Sequence, residues 1–146
     1  MTEPIMTIGA RPSRSAAAAL LVAEGLPVAD LSDEHLEHFF FTGSDGSPTA
    51  LVGLEMYGTD ALLRSLVVSP DMRSKGMGSA LVRHAEDYAA ARRVRAIYLL
   101  TTTAEAFFER LGYRRVDRTQ APPSIQSTRE FASLCPASSA FMLKRI

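Results

Sequence analysis

The sequence predicts an α/β (α+β) fold, a mixed central β-sheet flanked by helices on both faces. Three observations predict it. Apolar runs in the first half are joined by hairpin-type turns, whereas those in the second half alternate with segments of helical periodicity. Between the two halves, an apolar strand feeds a glycine-containing turn that opens a helix. The 146 residues, 47% of them hydrophobic, suit one domain, 1–146, with a substantial core.

Each element has a local reason. Ile5 to Gly9 reads as a short first strand. Ser13 to Glu24 is an alanine-rich helix, with Gly25 placed to cap its end and Pro27 just beyond. Asp30 to Leu36 suits a short helix or turn capped by Ser32 or Asp33. His38–Thr42 and Ala50–Tyr57 read as strands, joined through Gly43-Ser44-Asp45-Gly46-Ser47-Pro48. Thr59-Asp60 turns the chain into the strand Leu62–Val68. The helix from Gly78 to about Arg92 has Met77, Leu81, Ala85 and Tyr88 on one face. Ala96–Thr101 is an apolar strand. Ala104, Phe107, Phe108 and Leu111 then form the apolar face of a short helix ended by Gly112. Tyr113–Arg118 reads as a strand. Pro122-Pro123 breaks the chain before a helical Ser124–Leu134, in which Ser127-Thr128-Arg129-Glu130 matches a capping box that could start the helix instead. Ala140–Lys144 is the last strand.

Charge and composition narrow the function. Lys+Arg and Asp+Glu both number 16, so nothing draws the chain generally to nucleic acid or to an anionic membrane. The arginines cluster late (Arg92, Arg93, Arg95, Arg110, Arg114, Arg115, Arg118), a bias that reads first as a solvated face. Cys135 is the only cysteine, which excludes an internal disulfide and a cysteine metal cluster. His35 and His38 have no third ligand nearby in sequence, so no metal site is expected. Met1-Thr2-Glu3-Pro4-Ile5 lacks the pattern of a signal peptide, and the longest apolar run, Ala16 to Ala23, is too short to span a bilayer. The expectation is a cytoplasmic protein, monomeric or homodimeric.

Arg73-Ser74-Lys75-Gly76-Met77-Gly78-Ser79 is the most informative stretch. A helix N-terminus presents amides without internal partners at the positive end of its dipole. Gly76 and Gly78 let a phosphate approach the backbone, and Arg73 and Lys75 add charge. No Gly-Lys-Ser/Thr triplet follows, and Leu81 stands where a dinucleotide fingerprint needs its third glycine, so two better-known phosphate loops are excluded.

The spacing Arg-x-x-Gly-x-Gly after a Val-x-Pro strand end resembles the coenzyme A pyrophosphate loop of the Gcn5-related N-acetyltransferases, the GNAT superfamily. The segment Thr101 to Tyr113 resembles that superfamily's second signature, with Thr101 where Asn is usual and Phe108 where Tyr is usual. The resemblance covers at least Ala50 to Arg115. A narrower resemblance is carried by Gly53-Leu54-Glu55, Leu62 to Leu66, Thr101 to Phe108 and the block Ser127 to Ser138. These segments look like the arsenic-resistance-associated branch, whose acceptors are poorly defined.

The resemblance implies the GNAT fold, acetyl-CoA as acetyl donor and a small, amino-acid-like amine as acceptor. A protein N-terminus as acceptor, or an acyl-CoA-binding regulatory module with little turnover, are the alternatives. It places the pyrophosphate on the amides of Arg73 to Ser79 and the pantetheine along the strand at Val67 and Val68, with the Val68 amide as oxyanion donor. Thr101 either replaces the usual Asn contact or simply bonds the local backbone. Phe108 has no titratable proton, so the usual tyrosine acid is vacant and the residue packs, against the acetyl or pantetheine sulfur or against the protein. Glu55, a charge in an apolar strand, is either the base or a solvent-facing residue. Arg64, alone in an apolar run, either clamps an anionic group of the acceptor, with Ser65 beside it, or forms a structural ion pair with Glu55. Cys135 either contributes to substrate binding or arsenic sensing, or fills a small buried space.

Overall fold

The structure, a computed structural model, describes residues 7–44, 46–73, 75–135 and 137–146. Among these, the strands are β1 (Gly9–Ala10), β2 (Phe39–Ser44), β3 (Ser47–Tyr57), β4 (Asp60–Val68), β5 (Ala96–Thr101), β6 (Arg114–Arg115) and β7 (Ala140–Arg145). The helices are α1 (Arg14–Ala23), α2 (Asp33–Leu36), α3 (Met77–Ala91), α4 (Glu105–Arg110) and α5 (Pro123–Gln126). The strands follow the order β1-β2-β3-β4-β5-β7-β6. β4 and β5 run parallel and the other described ladders are antiparallel, so the sheet is mixed, as the element order predicts.

The chain divides into two compact units, and β3 and β4 run through both. The first comprises residues 1–53 and 65–85. Its core gathers Ala17 and Leu21 of α1, Leu31, Leu36 of α2, Phe39 and Phe41 of β2, Leu51 of β3 and Val67 of β4. Ser13 caps α1 by accepting a bond from the Ala16 amide, and Ser32 caps α2 through the His35 amide. β2 and β3 pair from Phe39↔Gly53 to Ser44↔Ser47, so the strands reach further into the hairpin than the turn residues alone suggest. Gly53 is required there: a Cβ would lie 2.2 Å from the Phe39 ring. Ile5 and Met6, placed in the expected first strand, lie outside the described residues, and β1 occupies Gly9–Ala10 instead.

The second unit comprises residues 54–64 and 86–146. β5 pairs along its full length with β7, from Ala96↔Arg145 to Thr101↔Ala140. Leu62, Ala96, Tyr98, Val116, Ala121, Ile125, Phe141 and Leu143 form its core, with Tyr57, Leu100 and Phe131 packed on it.

The C-terminal region departs from its pattern. The strand expected over Tyr113–Arg118 is only two residues long. One further bond, Val116 N to Phe141 O, follows before Asp117 caps a 3-10 turn through the Thr119 amide. The helix expected over Ser124–Leu134 breaks into α5 and a π-helical turn, Glu130–Leu134. The capping role falls one residue later than the sequence suggests. Ser127 bonds back to Pro123 O, while Thr128 Oγ1 donates to Ile125 O and accepts from the Phe131 amide.

Candidate acyl-transfer site

In the first unit, β4 ends at Val68 and its continuation is tied down by Ser69 N donating to Thr49 O at 2.8 Å. A 3-10 turn, Pro70–Met72, then carries the chain to α3. Gly76 has φ +78°, a left-handed conformation that L side chains adopt only with strain, and its carbonyl accepts the Ala80 amide, opening α3. Arg73, Lys75, Gly76 and Ser79 are exposed, and Met77 and Gly78 half-buried. The Met77 sulfur lies 3.6 Å from Thr42 Oγ1 and 4.0 Å from Thr49 Oγ1. Ser74 lies outside the described residues. Arg73 is engaged: Nε donates to Val68 O at 3.1 Å and Nη2 to Glu24 Oε1 at 2.5 Å.

β4 is not a regular strand. Ser65 has φ +60° in its middle, a left-handed conformation that a serine rarely adopts. The described β4–β5 register covers Asp60, Ala61 and Leu62, while β4 itself goes on to Val68. No sequence signal marks this conformation, since serine is not a residue that usually adopts positive φ. Val67 is buried and Val68 half-buried.

The second unit holds the charges singled out in the sequence. Arg64 Nη1 meets Glu55 Oε2 at 2.8 Å, and Nη2 meets Glu130 Oε1 at 3.1 Å. The three side chains are 1%, 4% and 8% exposed. Tyr57 OH donates to Glu55 Oε1 at 2.5 Å, and Cys135 Sγ donates to Glu130 Oε2 at 2.9 Å. A continuous chain therefore runs Tyr57–Glu55–Arg64–Glu130–Cys135, buried at its three central members and half-buried at both ends. Glu55 is buried and accepts from both Tyr57 and Arg64, so it does not face solvent. Arg64 has carboxylates on two nitrogens, so the open anion clamp is replaced by an ion-pair cluster. Burial, the hydrogen bond to Glu130 and its charge push the Cys135 thiol up to about 12, which keeps it protonated and unreactive.

Sequence reasoning missed Glu130 as a partner, because the pattern around it signals only a helix cap. Tyr57 carried no signal beyond its place at the end of an apolar strand. The remaining positions are local. Thr101 Oγ1 accepts the Ala104 amide at 3.0 Å, the backbone bond of a turn. Phe108 is buried edge-on against Phe107 and Tyr113, with ring centroids 5.1 and 5.5 Å away. Tyr113 OH donates to Glu86, which also receives Lys144 Nζ. Burial first, and the Glu86 charge second, raise the Tyr113 phenol above its ordinary range.

Known proteins share this architecture. An uncharacterized N-acetyltransferase of Chlorobaculum tepidum is 31% identical over 93 residues, 63% of this chain and 59% of that protein. N-acetylglutamate synthase from Neisseria gonorrhoeae, solved with coenzyme A and N-acetyl-glutamate, superposes with a TM-score of 0.82 at 19% identity, covering 99% of this chain and 36% of that one. A Mycobacterium tuberculosis protein crystallised in complex with CoA gives a TM-score of 0.75 at 19% identity, covering 98% of this chain and 99% of that one. This chain thus spans less than two thirds of both the Chlorobaculum relative and the synthase. At such identities the solved structures establish the fold. The profile of the acetyltransferase (GNAT) family matches residues 13–113, more than half of the sequence, and the chain belongs to that family.

Proposed function

We propose that the protein is an acetyl-CoA-dependent N-acetyltransferase acting on the amine of a small, amino-acid-like acceptor. The observation that carries this reading is the Gly76 turn, where a left-handed glycine opens α3 directly after the 3-10 turn that follows β4. The first-turn amides of Met77, Gly78 and Ser79 suit a pyrophosphate, with Lys75 exposed beside them. Arg73 joins them on exchanging Glu24 for a phosphate. Pantetheine amides pair along Val67 and Val68, and the Val68 amide donates to the carbonyl oxygen as it becomes an oxyanion.

In the transfer, the neutral amine attacks the thioester carbonyl, the C–N bond forms, the C–S bond breaks and CoA leaves as thiolate. The ammonium proton passes to a base, the role proposed for Glu55, whose carboxylate accepts the Tyr57 hydroxyl. Arg64 is a positioning residue that fixes Glu55. Phe108 supplies no proton, and the thiolate leaves without an acid, since a thiol pKa near 8.5 makes it a competent leaving group. An amino-acid-like acceptor is supported by the synthase that shares the fold and is solved with N-acetyl-glutamate. A role in arsenic resistance is supported by the branch resemblance, whose C-terminal block supplies Glu130 and Cys135 to the buried chain.

The test is thiol release from acetyl-CoA with a panel of small amines. Turnover with an amino-acid-like amine is expected, and Glu55→Gln should lower kcat about 10²-fold or more while leaving the KM for acetyl-CoA near its original value. CoA binding without turnover on any amine or N-terminal peptide would favour a regulatory acyl-CoA-binding module instead.

A further inference from the structure

The connection from β4 to α3 is held by the open end of the β2–β3 hairpin, in the same unit. The register of that hairpin shifts after Thr42. Thr42 pairs with Ala50 and Gly43 with Pro48, which leaves Thr49 as an extra residue at the step. Gly43 takes φ +86° there. An extra residue of this kind leaves the regular ladder, and its side chain is re-aimed. The Thr49 hydroxyl lies 2.8 Å from the Thr42 hydroxyl, and the Met77 sulfur is 3.6 Å from Thr42 Oγ1 and 4.0 Å from Thr49 Oγ1. Each threonine has one hydroxyl proton. One proton joins the two hydroxyls and the other is left for the sulfur; the shorter distance assigns that one to Thr42. Thr42 is 2% exposed, so its hydroxyl depends on such partners. The Thr49 carbonyl meanwhile accepts the Ser69 amide at 2.8 Å. The two threonines therefore reach both ends of the segment that runs from Ser69 to Met77.

We propose that Thr42 and Thr49 are positioning residues for CoA: through the Met77 sulfur they fix the first turn of α3 in the conformation that receives the pyrophosphate. This rests on the reading of the Gly76 turn as the pyrophosphate site. Met77 is the first residue of α3, and its amide is one of those assigned to the phosphate. Holding its side chain from the hairpin restrains that amide and the Gly76 turn before it. A restrained turn loses less freedom when the ligand arrives, which is how preorganisation raises affinity. The thioether is the feature that lets the hydroxyls do this, because a leucine of similar volume accepts no hydrogen bond.

The experiment joins two measurements on the original protein, Thr42→Val, Thr49→Val and Thr49→Ser: CoA affinity by calorimetry, and amide hydrogen exchange by NMR without ligand. Valine keeps the shape of threonine and removes the hydroxyl. Both valine variants should bind CoA about two- to tenfold more weakly, the range that one ordinary hydrogen bond is worth. Thr49→Ser, which keeps the hydroxyl, should bind within about twofold of the original. Exchange at the Ala80 amide, whose bond to Gly76 O opens α3, should quicken in the valine variants. The Ala17 amide of α1, bonded to Ser13 O, should keep its rate, whereas general destabilisation would quicken both. In a Met77→Leu background Thr42→Val should weaken CoA binding little further, because the bond to sulfur is already gone. Valine variants that bind CoA as the original does, or that quicken Ala17 as much as Ala80, would overturn the positioning role and leave the pyrophosphate reading in place. If the original protein itself fails to bind CoA, that reading falls. The Ala80 rates then decide alone whether the threonines hold the turn: quickened exchange upholds the restraint and unchanged exchange overturns it.

Discussion

The glycine turn before α3 and the charge cluster around Arg64 are built in opposite ways. The turn offers backbone: a left-handed Gly76, the first amides of a helix, and arginine and lysine side chains in solvent. The cluster offers side chains: a guanidinium with 1% exposure between two buried carboxylates, ended by a tyrosine and a thiol. Local chain geometry makes the first, and residues distant in sequence make the second. The lesson is that substitutions in the turn should change binding with little change in stability, whereas substitutions in the cluster should change stability before anything else.

The largest expected effect is in the cluster. Arg64→Met removes the cation that pairs with both Glu55 and Glu130. Losing one partner of a buried ion pair costs about 3–5 kcal/mol. Urea unfolding should show that loss, and adding Glu55→Gln and Glu130→Gln should recover much of it, because the uncompensated charges are then gone. A single Arg64→Met variant as stable as the original would mean that the cluster is solvated and that the contrast with the turn is false.

The turn should give the next largest effect, in affinity. Gly76→Asp places a side chain at φ +78° and a negative charge where the proposal puts a pyrophosphate. The backbone penalty is about 1 kcal/mol, since a Cβ there would meet nothing within 4 Å. CoA affinity measured by calorimetry should fall about tenfold or more, as expected when a charge-assisted contact is replaced by repulsion. A folded variant that binds CoA unchanged would remove the turn from the donor site.

The same contrast explains what could be read from the chain. Gly76 and the apolar run before it are neighbours, so spacing alone exposes the turn, and the strand–turn–helix order follows. β5 was legible to the residue, because Ala96 to Thr101 is an uninterrupted apolar run. The left-handed backbone at Ser65 was not, because its positive φ falls on a serine and no local signal announces it. Arg64 and Glu55 stood out as charges in apolar strands, and a mutual pair was one of the two readings available for Arg64. Their third member was hidden. Glu130 lies beyond two later strands in the chain, and its local pattern, Ser127 to Glu130, imitates a helix cap that Thr128 in fact supplies. Side-chain networks closed over such separations leave no periodicity to detect.

The smallest effect concerns the end of the cluster, at Cys135. This half-buried thiol donates to Glu130. Burial first, then the bond to Glu130 and its charge, raise its pKa to about 12, while Arg64 and Arg118 pull the other way. The unfolded chain loses the same proton near pH 8.5. The folded state therefore keeps a proton that the unfolded state releases, and the resulting stability is complete below about pH 8.5 and lost as the pH rises towards 12. Serine keeps the donor but does not titrate in this range, so Cys135→Ser isolates the thiol from every other group that titrates there. Urea midpoints measured from pH 8 to 10.5 should fall more steeply for the original protein than for Cys135→Ser. Iodoacetamide at pH 8 should alkylate the folded thiol far more slowly than the unfolded one, because the thiolate is the reactive form. Equal slopes together with rapid alkylation would detach Cys135 from Glu130 and shorten the buried chain to the four residues from Tyr57 to Glu130.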